Sequence, residues 1–114
     1  MKGYELAKKI AELALNKKGE NIKIIDATSH KLHFEYFVLI TGVVDQHLKA
    51  LSEHIRKELS RMGVKPIGYE GQSNSKWVLL DYFDVIVHIF DPNSREIYKL
   101  EELWPDVKVE SVEE

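Results

Sequence analysis

The chain contains no cysteine, which rules out disulfides and thiolate chemistry and leaves any metal site to histidine and carboxylate alone. It has no long hydrophobic run. Its longest uncharged apolar stretch is far too short to cross a bilayer. The N-terminus, MKGYELAKKIAE, lacks the apolar core of a signal peptide, and its acidic Glu5 and Glu12 argue against an organelle transit sequence, so a cytoplasmic setting is expected. Charge of one sign is also scarce, the net charge being −3, and no dense basic stripe is present of the kind that phosphate-backbone binding needs. Acids gather at the C-terminal end, where residues 101–114 hold six against one lysine. Most such charges only solvate a surface, but acidic spots suit a basic protein partner better than naked nucleic acid. No segment repeats, none is of low complexity, and none reads as a linker. What remains is a chain of 114 residues with 44% hydrophobic content, enough to bury about two-thirds of its unfolded surface around one core.

The apolar pattern divides that chain into elements. Leu6, Ile10 and Leu13, with Ala7, Ala11 and Ala14 beside them, predict a helix over residues 4–17, closed by Lys17-Lys18-Gly19. A short strand follows over residues 22–27. The run FEYFVLI at residues 34–40 reads as a central strand buried on both faces. Leu48, Leu51, Ile55, Leu59 and Met62 predict a long helix that ends at Gly63, with Asp45 as its N-cap. A weaker strand at 67–70, strands at 77–80 and 85–90, and a final helix over residues 95–104 complete the set. The order α-β-β-α-β-β-β-α predicts an α/β fold with a single mixed sheet of about five strands and flanking helices. The stretch from strand 34–40 through the long helix to strand 67–70 suits a parallel crossover, and the tight link at 81–84 suits an antiparallel hairpin. Residues 1–104 are expected to form one domain, with 105–114 an acidic, frayed tail.

Chemistry is hard to find. Thr41-Gly42-Val43-Val44-Asp45 offers a strand, a turn and a helix start, but has one glycine, no following lysine and a carboxylate where an anion would sit. Asp81 and Asp84 are three apart across a turn, not two apart on one strand face, so no carboxylate pair for metal-assisted phosphoryl transfer is evident. His47 and His54 are seven apart on one helix, too far for ligands on adjacent turns. Ser73 and Ser75 lie in a polar loop without a nucleophile-elbow pattern.

The informative segment is WVLLDYFDVIVHIF at residues 77–90. Alternation places Ile86, His88 and Phe90 on one face of the second strand and Val85, Val87 and Ile89 on the other. His88, in an apolar strand close in sequence to Asp81, Tyr82 and Asp84, reads either as a core histidine held by hydrogen bonds, the commoner case, or as one presented at an interface.

These residues carry a resemblance that covers nearly all of residues 24–104. Asp26, Tyr36-Phe37-Val38, Thr41-Gly42, Glu70-Gly71, Trp77-Val78-Leu79-Leu80-Asp81-Tyr82, Asp84, Val87-His88-Ile89-Phe90, Arg95, Tyr98, Leu100-Glu101 and Leu103-Trp104 occur in that order. In this the chain resembles the Iojap-like ribosomal silencing factors. The resemblance implies a nucleotidyltransferase-like fold without catalytic residues or cofactor. It also implies binding to the large ribosomal subunit through its fourteenth protein, a basic protein at the subunit-joining face, with minor ribosomal RNA contact. Occupying that face blocks the small subunit and restrains translation when nutrients are short; several members form homodimers. Carried onto this chain, the implied contact residues are Trp77, Asp81, Tyr82, Asp84 and His88, flanked by Glu70 and Tyr98. Leu79, Val87 and Ile89 are expected in the core, and Trp104 in the packing of the last helix. The alternative is a nucleotide-binding or nucleotidyl-transferring enzyme on the same scaffold. Three departures stand out: Glu35 where many relatives have Asp, Val43-Val44 in place of Asn-Ser, and Phe83 in place of Gly.

Overall fold

A computed structural model of the chain describes residues 1–30, 34–71, 76–102 and 106–113. Its elements are α1 (Gly3–Asn16), β1 (Glu20–Asp26), β2 (Tyr36–Thr41), α2 (Asp45–Arg61), β3 (Gly68–Glu70), β4 (Trp77–Asp81), β5 (Val85–Phe90), α3 (Pro92–Tyr98) and β6 (Lys108–Val112). Short 3-10 turns occupy Thr28–His30 and Leu100–Glu102. The strands form one mixed sheet of six in the order β3-β4-β5-β2-β1-β6. Only the β2–β5 pair is parallel; the other four neighbouring pairs are antiparallel.

The α/β architecture and the mixed sheet agree with the sequence reading, with six strands in place of about five. The sixth comes from the stretch expected to be frayed. Lys108–Val112 pairs with β1 from Ile22↔Val112 to Asp26↔Lys108. Its period of two is masked because charged residues share a face with the apolar one, as edge strands often arrange. Val112 is buried, while Glu110 on the same face accepts the Tyr4 hydroxyl at 2.7 Å and the Lys8 ammonium at 3.0 Å.

The crossover from β2 through α2 returns parallel to β2, as expected, but not beside it. Chain 67–70 goes to the sheet edge as β3, and β5 takes the parallel place next to β2. The three-residue β3, preceded by Pro66 and followed by Gly71, has little to bury and suits an edge, whereas VIVHIF suits the centre.

α1 and α2 cover one face of the sheet. Leu6, Ile10 and Leu13 of α1 and Leu48, Leu51, Ile55 and Leu59 of α2 pack with Ile22, Ile24, Val38, Ile40, Val78, Leu80, Val85, Val87 and Ile89. Asp45 is the first residue of α2 and not its cap; Val44 stands in the cap position without a side-chain bond. Part of the missing cap is replaced by His47, whose Nδ1 accepts the Val43 N–H at 3.0 Å. Its Nε2 lies 2.8 Å from the Lys17 carbonyl, joining the start of α2 to the end of α1. α3 begins three residues earlier than predicted because Asp91 caps it, accepting the Ser94 N–H at 2.8 Å, and Pro92 fits the first turn. It stops at Lys99, which is left-handed at φ 44, and not at residue 104. Residues 103–105, Trp104 among them, lie outside the described residues.

Candidate docking face

The opposite face of the sheet is aromatic. Ile25, Phe37, Leu39, Phe90 and Leu100 form a second buried cluster, with Phe34, Trp77, Ile86 and Val107 packed against it. The Phe37, His88, Phe90 and Trp77 rings meet at centroid distances of 5.3 to 6.2 Å. Leu100 and Val107 contribute to this cluster from beyond α3, yet Trp77, Leu79, Asp81 and Ile86 are only half-buried. Arg95 anchors α3 beside the cluster: buried, it donates to the Asn21 carbonyl and, at 3.0 Å, to Thr41 Oγ1.

Strand register explains which predicted residues come together. Glu70 pairs with Leu79, and Leu79 with His88. In the next row of the same face Gly68 pairs with Asp81, and Asp81 with Ile86. Since side chains two apart share a face, Glu70, Trp77, Leu79, Asp81, Ile86 and His88 line one side of β3, β4 and β5. Gly71 makes this geometry possible: at φ +98, a Cβ there would lie 2.4 Å from the Trp77 carbonyl oxygen.

His88 lies beneath this face. It is 7% exposed, and its Nδ1 accepts the Trp77 indole N–H at 3.0 Å, which leaves the ring proton on Nε2. Burial lowers its pKa to about 4, so the ring is neutral at pH 7. Of the two readings the sequence left open, the structural one describes its contacts: His88 holds Trp77 in place across the strand pair. Ile86 was missed and Leu79 was assigned to the core, although alternation with buried Val78 and Leu80 already separates Leu79 from them.

Two expected contact residues fall elsewhere. Tyr82 continues the inward series of Val78 and Leu80 and is only 6% exposed, packed in the helix-covered core, where burial raises its pKa to about 12. It cannot present its ring to a partner without unfolding that side. Asp84 serves α1: Lys2 gives no side-chain cap, and Asp84 Oδ2 instead accepts the Gly3 N–H at 2.6 Å. Asp81 keeps one oxygen engaged locally, accepting the Phe83 N–H at 2.8 Å. Tyr98 closes α3, and its side chain lies outside the described residues.

No assembly of reactive groups appears among the described residues. Asp26 accepts from the Thr28 N–H and hydroxyl, bonds that lower its pKa, while Asp81 and Asp84 serve separate turns and helices. No group of three histidines or carboxylates is placed to hold a metal among them. No helix among them is long and apolar enough to cross a membrane.

Fold and face together define an α/β module with one aliphatic sheet face sealed by helices and one aromatic, acid-rimmed face left partly open. The family model described as "Ribosomal silencing factor during starvation" matches residues 2–114, and the chain belongs to that family, whose name describes a regulator and not an enzyme. A ribosomal silencing factor from Bacillus subtilis is 34% identical over 99 residues, covering 86% of this chain and 84% of its own. A crystal structure from Chromobacterium violaceum superposes with a TM-score of 0.86 at 33% identity, over 91% of this chain and 87% of that one. A mouse relative named mitochondrial assembly of ribosomal large subunit protein 1 is 26% identical, covering 83% of this chain and 43% of its own.

Proposed function

We propose that the open face of β3, β4 and β5 docks on the large ribosomal subunit through its basic fourteenth protein and, by occupying the subunit-joining surface, holds the small subunit away. The observation that carries this reading is the placement of half-buried Trp77, Leu79 and Ile86 on one face, with Glu70 and Asp81 at its rim. Large apolar side chains at the centre supply desolvation, and rim carboxylates steer a basic partner. The mouse relative's name, which mentions the large subunit, points the same way. Trp77, pre-oriented by His88, is the anchor, while Tyr82 and Asp84 support the face from behind it. Tyr98 flanks it, ribosomal RNA contact is minor, the setting is the cytoplasm, and the chain can pair with a second copy of itself. The action is steric and needs neither cofactor nor catalysis; no observation favours the nucleotidyl-transferring alternative.

Sedimentation of purified ribosomal subunits with and without the protein tests this. Co-migration with the large subunit and fewer joined particles is expected. Absence from both subunit fractions would remove the proposal.

A further inference from the structure

The link between β4 and β5 holds an aromatic residue that the fold leaves mostly in water. Phe83 sits at φ 78 and is 68% exposed. The turn around it is tight: the Tyr82 N–H donates to the Val85 carbonyl at 2.9 Å, and the Asp84 N–H to the Tyr82 carbonyl at 3.1 Å. The second bond spans only two residues and makes Phe83 the centre of a γ-turn, whose positive-φ form is rare and strained for any residue with a Cβ. A bulky residue in that conformation is strained, and an aromatic ring largely in water returns little burial energy. Stability alone therefore does not account for Phe83.

Its position does. Asp81 Oδ1 accepts the Phe83 N–H, so the ring is tied to the same strand end that presents Asp81 on the docking face. Ile67, 69% exposed, lies at that end too, its N–H donating to the Asp81 carbonyl at 2.7 Å. We infer that Phe83, with Ile67 beside it, is a specificity-determining anchor that extends the docking face past its edge and inserts into an apolar recess of the partner rimmed by Arg or Lys. The inference rests on the proposed docking of the β3–β5 face. The carboxylate of Asp81 next to the ring matches the basic rim, and the aromatic ring matches the recess. Strain retained at an exposed turn is then offset by binding and not by folding.

The test exploits opposite signs. Phe83→Gly relieves the strained φ and is expected to raise the thermal midpoint by about 2–5 °C. The same variant, titrated against purified bacterial large ribosomal subunits, is expected to bind at least about tenfold more weakly. Phe83→Trp keeps an aromatic ring at the turn and is expected to retain most of the affinity. A Leu79→Lys variant, measured alongside, reports on the face itself. Should Phe83→Gly bind like the wild type while Leu79→Lys loses binding, the face stands and the anchor is overturned. Should the wild type fail to bind, or Leu79→Lys bind normally, the docking reading falls and the anchor with it. A lowered thermal midpoint for Phe83→Gly would remove the strain on which the inference depends.

Discussion

The two faces of the sheet share every strand and differ in almost everything else. One is mainly aliphatic and lies beneath α1 and α2; the other is built from Trp77, Phe90, His88, Phe37 and Phe34, and its β4 residues Trp77 and Leu79 are half-exposed. Leu79 and Leu80 are adjacent in sequence, yet Leu80 is fully buried and Leu79 is half-exposed. A sheet of this kind assigns consecutive residues to different tasks, one to folding and the next to recognition.

The sharpest way to break that comparison is to truncate both leucines. Leu80→Ala should cost about 3 kcal/mol or more in denaturant unfolding, since it opens a cavity in close-packed core. Leu79→Ala should cost under about 1 kcal/mol and weaken large-subunit binding instead. Equal losses of stability would mean that the two faces are not functionally distinct.

The second contrast is polar. His88 is the buried titratable group of the aromatic face, and its pKa of about 4 lies below the ordinary value of 6.5. Between those values the unfolded chain binds the proton and the folded one does not, so stability is full above pH 6.5 and falls as pH drops toward 4. The loss from this group amounts to about 3 kcal/mol at most. Urea unfolding between pH 7 and 4.5 should show this slope, and His88→Phe should flatten it. An unchanged slope in that variant would mean that the acid sensitivity arises elsewhere.

Smaller still is the effect at the α1 end. Asp84→Asn removes a charged acceptor from Gly3 and should cost about 1 kcal/mol of stability. Ribosome binding should be retained, because the carboxylate faces α1. A binding defect at unchanged stability would return Asp84 to the interface.

Much of the fold was legible because its hydrophobic periods are strong. The helix faces around Leu6–Ile10–Leu13 and Leu48–Ile55–Leu59 and the VIVHIF strand could be read directly. β6 could not, because charged Lys108 and Glu110 alternate onto the same face as Val112, and Glu110 finds its partners, Tyr4 and Lys8, only in the folded state. The placement of β3 at an edge was equally hidden, since spacing gives a crossover's length and not its destination. On the candidate face, Glu70, Trp77, Asp81 and His88 do share one side of the sheet. Tyr82 and Asp84 lie off that face, since sequence proximity does not give strand parity: the alternation of Val78, Leu80 and Tyr82 marks an inward series that continues past the strand end. The helix that Asp84 caps begins 81 residues away, at Gly3, a partnership no local pattern reveals.

Hydroxyl-radical footprinting of the protein on purified large ribosomal subunits tests the central claim most directly, because both faces carry oxidisable side chains. Trp77 and Phe83 report on the open face, while Tyr4 and Met62, both partly exposed, report on the helix side. Protection of Trp77 and Phe83 with unchanged oxidation of Tyr4 and Met62 is the predicted result. Protection of Tyr4 and Met62 with Trp77 unchanged would contradict the account, since the helix-covered side would then be the one that meets the ribosome.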